Sequence, residues 1–273
     1  KEFFSFVSAD RLKGISGVSN VGNTDNWCGH PFSQANWYAY GRLAWNPQLR
    51  SRDIAREWLL MTFEESSNRY FFDSMTSVME RSREMCVSYM MPLGLHHIFK
   101  FDNHYGPEPG GFRADYPIEW CPVYYHKADT LGIGFDRTVN GSGAVNQYRE
   151  PFRSQYNSLE TCPEQYLLWF HHVPWNYKMK NGKTLWVNLC NNYERGVKMV
   201  ETTLMSWKLM HSLFVENNDD ERWMQIESLL LEQLGNATEW KDTCLLYFQQ
   251  FSRMPIGQAS VESAEDIAKH QLK

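Results

Sequence analysis

Residues 184–251 read TLWVNLCNNYERGVKMVETTLMSWKLMHSLFVENNDDERWMQIESLLLEQLGNATEWKDTCLLYFQQF. Apolar residues fall on a helical period through Trp186, Leu189, Tyr193, Val197, Val200, Leu204 and Trp207 and extend toward His211. A second stripe runs through Trp223, Ile226, Leu230, Gln233, Ala237, Trp240, Cys244, Tyr247 and Phe251. The first helix opens at Thr184, the second near Asp219 or Asp220. The polar turn NNDD at 217–220 joins them, so the two should lie antiparallel. The fold class predicted from this stretch is mainly α.

Upstream, two further helices are expected. One starts with Ser51 as N-cap and runs to about Phe63, with Ile54, Ala55, Trp58, Leu59 and Thr62 facing inward. The next carries Phe71, Met75, Val78, Met79, Ser82, Met85, Cys86 and Tyr89 and is stopped by Pro92. A short helix begins at Thr161, Pro163 and Glu164 and ends near Pro174. Residues 14–22 (GISGVSNVG) read as a short buried strand, and Phe32–Trp45 as a helix ended by Asn46-Pro47. That single βα unit cannot bury itself, because a parallel strand needs neighbours. Between Leu93 and Glu160 the periodicity vanishes. A long aromatic-rich segment of this kind suits an ordered, functional loop region.

The densest part of that region is WCPVYYHKADTLGIGFDRT, 120–138. It offers flat rings at Trp120, Tyr124, Tyr125 and Phe135 and charge at His126, Lys127, Asp129, Asp136 and Arg137. Gly132 and Gly134 allow tight turns or close backbone approach. A loop-built binding surface and a core loop that buries its rings both fit this composition.

The 273 residues suit one large domain or two small ones, and a net charge of −5 without a basic cluster argues against nucleic acid. No apolar run reaches membrane-spanning length, which argues against a membrane partner. Cys28, Cys86, Cys121, Cys162, Cys190 and Cys244 are scattered and read as buried free thiols. Sequon matches occur at Asn140 and Asn236. The opening residues KEFFSFVSADRLKG read like mid-protein sequence and suggest a fragment, leaving a cytoplasmic, periplasmic or extracellular location open.

Histidines cluster at His96, His97 and His104 and at His171 and His172. Neither HExxH nor HxH occurs, and hydrogen-bonded core histidines are the preferred reading over a metal site. Glycoside chemistry needs two facing carboxyls. Glu108, Asp115, Glu119, Asp129 and Asp136 are candidates, but no spacing singles out a pair, and Asp136 next to Arg137 reads as a structural charge pair. The late-helix Trp residues read as core. Trp120, in irregular backbone, is the aromatic best suited to a pocket edge.

Several strings taken together are distinctive: GVSNVG (17–22), NWCGHPFSQANWYAYGRLAWNP (26–47), PLGLHHI (92–98), HYGP (104–107), YYHKADTLGIGFDRT (124–138) and LETCPEQYLLWFHHVPW (159–175). They resemble the C-terminal region of the glycoside hydrolase family 67 α-glucuronidases, from about Gly14 to Pro255. The resemblance implies cleavage, with inversion and without cofactor, of the α-1,2 bond that holds (4-O-methyl)glucuronic acid on xylo-oligosaccharides. It implies that residues 1–47 contain the last strand and helix of a (β/α)8 catalytic barrel, that 48–255 form a helical C-terminal domain, and that 256–273 are a polar tail. The general acid and base would lie on barrel strands before GVSN, leaving no catalytic residue here. Substrate-binding candidates are then Trp120, which would stack on the glucuronic acid ring, with Asn20, Asn26, Trp27 and His104. The implied partners are the upstream barrel and a second copy in a homodimer. A free-standing, non-catalytic sugar-binding or assembly module is the alternative.

Overall fold

The computed structural model describes residues 14, 16–18, 29–102 and 105–257. The chain is mostly helical. Its helices are α1 (Gln34–Trp45), α2 (Ser51–Thr62), α3 (Arg69–Met90), α4 (Pro122–His126), α5 (Phe152–Asn157), α6 (Leu167–Phe170), α7 (Leu185–Lys208), α8 (His211–Glu216) and α9 (Asp220–Ser252). Single 3-10 turns punctuate the loops. Among the described residues no helix is long and apolar enough to cross a membrane. The chain divides into two compact units, one of residues 1–83 with 202–231, the other of 84–201 with 232–273.

In the first unit, Ile54, Ala55, Trp58 and Leu59 of α2 are buried as the helical period requires. Ser51 is the first helical residue rather than the cap. Arg50 occupies the cap position without a side-chain cap bond, and its guanidinium closes the first turn on Asp53 at 2.7 Å. Phe63, just past α2, packs on Phe32, Trp58, Phe71 and Phe214 at ring-centroid distances of 5.4–6.3 Å. Helices α7 and α9 are tied by two reciprocal bonds. The Trp207 indole donates to the Trp223 carbonyl at 3.1 Å, and the Trp223 indole donates to the Trp207 carbonyl at 3.2 Å. Lys208 pairs with Glu227 and His211 with Asp220, so partners ascend on one chain as they descend on the other, as antiparallel packing demands. The expected link between these helices is corrected in one respect. The long helix ends at Lys208, and His211–Glu216 form a separate short helix before the NNDD turn. A helical period persists across the break, which hides it in the sequence.

Helix α1 is joined to α2 by a two-pronged ion pair, Arg42 Nε to Glu57 Oε2 at 2.9 Å and Nη2 to Oε1 at 3.1 Å. It contains no buried residue, and Trp45 at its end is 87% exposed. Gly14 and residues 16–18 are irregular and exposed; the rest of the predicted strand lies outside the described residues.

In the second unit the core is built from Trp186, Leu189, Tyr193, Val197 and Val200 of α7 against Ala237, Trp240, Cys244, Leu245 and Phe248 of α9. Around it winds the long irregular segment. Here β1 (Gly132–Ile133) pairs antiparallel with β2 (Val173–Pro174), in register Gly132 with Pro174 and Ile133 with Val173. The short helix expected to end near Pro174 therefore stops at Phe170, and the chain turns extended to make this pairing. Both glycines of GIG are required by close approach. A Cβ on Gly132 would stand 2.3 Å from the Val173 carbonyl, and one on Gly134, at φ +105°, 2.1 Å from that of His171. The Trp186 indole holds the Pro255 carbonyl at 2.9 Å and so anchors the chain beyond α9.

Candidate functional site

Trp120 ends a single 3-10 turn, Ile118–Trp120, set between prolines. Pro117 caps the turn, and the Trp120 amide bonds its carbonyl at 2.9 Å. Pro122 then begins α4, where its lack of an N–H costs nothing. Between them Cys121 is fully buried, its Sγ 3.8 Å from the carbonyls of Arg113 and Pro117. Buried Cys121 and Pro122 point inward and the adjacent indole points out, 67% exposed. Behind it stands a ladder of rings. Tyr116 meets Trp120 edge-on at 5.9 Å, and Phe101 meets Tyr116 at 5.5 Å. The Arg113 guanidinium lies 4.3 Å over Phe101 and 5.4 Å from the Tyr116 centroid and pairs with Asp102 at 3.0 Å. An exposed indole backed in this way offers a flat apolar face with restricted freedom, which suits stacking on a sugar ring.

His126, six residues on, is structural. It is 2% exposed, its Nε2 donates to the Pro109 carbonyl at 2.7 Å, and its Nδ1 accepts from the Ala128 amide at 2.9 Å. Burial pushes its pKa down to about 4, so the ring is neutral at pH 7. His172 likewise serves backbone, with Nδ1 2.8 Å from the Gly134 carbonyl and Nε2 3.5 Å from Asp129. Among the described residues no three His, Cys, Asp or Glu side chains converge as a metal would need.

Of the five candidate carboxylates, Asp115 and Glu119 are exposed and the other three are committed locally. Glu108 accepts from the Phe101 amide, Asp129 from the Leu131 and Gly132 amides, and Asp136 from the Thr138 amide and hydroxyl. The expected Asp136–Arg137 charge pair is corrected. Arg137 turns away, lies 3.7 Å over the Trp169 ring and 4.4 Å over Phe135, and donates to the Trp169 carbonyl at 2.5 Å. Neighbouring side chains on extended backbone point to opposite faces, so adjacency in sequence did not make them partners.

Of the predicted substrate-binding residues, only Trp120 is described; Asn20, Asn26, Trp27 and His104 lie outside the described residues. The sequence reading missed Tyr116 and Arg113. Their spacing of four and seven residues before Trp120 was visible, but Pro117 interrupts any helical reading.

The description "Glycosyl hydrolase family 67 C-terminus" matches residues 28–261. The chain belongs to glycoside hydrolase family 67. Family 67 relatives include alpha-glucuronidase A of Emericella nidulans, 34% identical over 246 residues, 89% of this chain and 28% of that protein. Alpha-glucuronidase A of Aspergillus tubingensis is 32% identical over 246 residues, with the same shares covered. The alpha-glucuronidase of Hypocrea jecorina is 31% identical over 251 residues, 91% of this chain and 28% of that protein. The chain thus spans a little over a quarter of the length of these relatives, and it matches the C-terminal region of the family.

Proposed function

We propose that this chain is the helical C-terminal part of an α-glucuronidase, an inverting enzyme that hydrolyses the α-1,2 bond of (4-O-methyl)glucuronic acid on xylo-oligosaccharides. The catalytic carboxylates belong to a barrel domain outside this chain, and Trp120 forms a wall of the pocket by stacking on the uronic acid ring. The observation that carries the proposal is a family 67 chain whose irregular region commits Glu108, Asp129 and Asp136 to local hydrogen bonds while presenting one braced, exposed indole. The absence of buried residues in α1 supports the same reading, since its apolar side chains await cover. Met205 and Leu209 at the end of α7, with Met224 and Leu231 on α9, are exposed apolar residues that support a homodimer contact.

The test is the rate on aldouronic acids of the full-length protein and of this chain by itself. Hydrolysis is expected only from the former; a robust rate from the isolated chain refutes the assignment of the carboxylates elsewhere. In the full-length protein Trp120→Ala should lower kcat/KM by the equivalent of about 1–3 kcal/mol. Unchanged kinetics would remove Trp120 from the pocket. Sedimentation of the full-length protein tests the dimer.

A further inference from the structure

The chain holds two Asn-Gly pairs, Asn140-Gly141 and Asn181-Gly182. An asparagine followed by glycine is open to attack from within the chain. The glycine backbone nitrogen adds to the asparagine Cγ, the Cγ–Nδ2 bond breaks, and ammonia leaves with the proton that the backbone amide gives up. Water then opens the resulting succinimide ring at either carbonyl, to aspartate or to isoaspartate. Glycine favours the closure because it has no Cβ and its backbone turns freely.

Both pairs are exposed and both lie in turns, so water reaches each of them. The attacking nitrogens are held alike, with the Gly141 amide on the Thr138 carbonyl at 3.1 Å and the Gly182 amide on the Met179 carbonyl at 2.8 Å. The side chains differ. Asn181 is clasped: its Nδ2 donates to Asn188 Oδ1 at 2.6 Å, and its Oδ1 accepts from the Lys183 amide at 3.0 Å and from Asn188 Nδ2 at 3.2 Å. Asn188 is itself buried and fixed on the Lys183 and Thr184 carbonyls. Carrying the Asn181 carboxamide onto the Gly182 nitrogen means breaking that clasp. Asn140 is tied through its backbone only, its amide donating to Thr138 Oγ1 at 3.3 Å. Among the described residues no group hydrogen-bonds its carboxamide, which is free to swing.

The turn around Asn140 has little slack. The Gly141 and Gly143 amides close it on the Thr138 carbonyl at 3.1 and 2.8 Å, and the Ser142 amide closes it on the Asp136 carbonyl at 3.0 Å. Gly141 lies so near Asp136 that a Cβ there would stand 2.3 Å from its carbonyl oxygen and 2.5 Å from its carboxyl carbon. Isoaspartate lengthens the backbone of this closed turn by one carbon, and either product adds a negative charge to a turn that already holds Asp136. We propose that Asn140 is a built-in modification site, which converts to aspartate and isoaspartate well ahead of Asn181 and thereby loosens the turn 138–143.

The experiment is timed incubation of the full-length protein at mildly alkaline pH, below its melting temperature, after expression in a host that leaves the NGS sequon at Asn140 without a glycan. Peptide mass spectrometry follows the loss of each side-chain amide. Asn140 is expected to convert at least about ten-fold faster than Asn181, since even one net hydrogen bond lost on the way to the ring is worth that. In guanidinium chloride the gap should close, because the bare sequence offers both asparagines a glycine. Asn188→Ala, which opens the clasp, should bring Asn181 toward the Asn140 rate; should that variant not fold, the denatured comparison decides. Aged wild type should lose melting temperature while aged Asn140→Gln, whose longer side chain closes the ring far more slowly, keeps it. Equal or faster conversion at Asn181, a gap that persists in the denatured chain, or an equal decline of Asn140→Gln and wild type overturns the proposal.

Discussion

At the scale of single residues, burial decides what each ionisable group can do. His126 looked like a candidate charge in a charged string, yet its ring is sealed between the Pro109 carbonyl and the faces of Tyr247 and Phe248. Burial lowers its pKa from 6.5 to about 4, and also lowers those of His96 and His171. A depressed histidine contributes stability that is fully present above its unfolded value and is lost as pH falls toward the folded one. Urea midpoints should therefore decline between about pH 6.5 and pH 4, with His126 accounting for about 3 kcal/mol. His126→Gln should flatten that part of the slope, and a parallel profile would contradict the assignment. Tyr116 makes a second case. If its ring fixes the Trp120 indole, Tyr116→Leu should raise KM in the full-length enzyme with little change in kcat, while Tyr116→Phe, which keeps the edge, should not. An equal loss in both variants would point to the hydroxyl instead. The sequence exposed the types of these residues but not their surroundings, because no one-dimensional pattern reports which carbonyl lies opposite an imidazole.

At the scale of elements, periodicity located α2, α3, α7 and α9 well, since each must bury one face along several turns. It could not reveal β1 and β2, whose two residues each are too few to show alternation. Their pairing rests on Gly132 and Gly134. Gly134→Ala should cost about 3 kcal/mol or more, because both the φ of +105° and the carbonyl at 2.1 Å oppose a methyl group. A thermal melt within a degree of wild type would show that the strand pair yields easily. The reciprocal bonds of Trp207 and Trp223 predict coupling of a different kind. Either residue changed to Phe should cost about 1–3 kcal/mol by breaking one indole–carbonyl bond and loosening its mate. The double variant should then cost less than the two single losses taken together.

At the scale of the whole molecule, the scatter of cysteines in the sequence foretold free thiols, and Cys86, Cys121, Cys162, Cys190 and Cys244 are free. Burial pushes Cys162 and Cys244 up to about 12 and Cys190 up to about 11. Since the thiolate is the reactive form, a thiol reagent at neutral pH should label Cys86, the half-buried one, before the other four. Mass mapping after brief exposure would check the order, and early labelling of Cys244 would mean that the second unit opens readily. Family membership was legible because several long strings of unusual composition stand along the chain. The wider site was not, because a pocket wall reveals its purpose only against the opposite wall, and the carboxylates that would complete it are proposed to lie beyond these residues.

The outward-turned indole has an optical consequence. Among the described tryptophans Trp45 and Trp120 are the strongly exposed ones. Their emission should sit at the red edge of the spectrum and be the first extinguished by a water-borne collisional quencher such as iodide. A sugar laid on one of them would then announce itself as light that iodide can no longer dim.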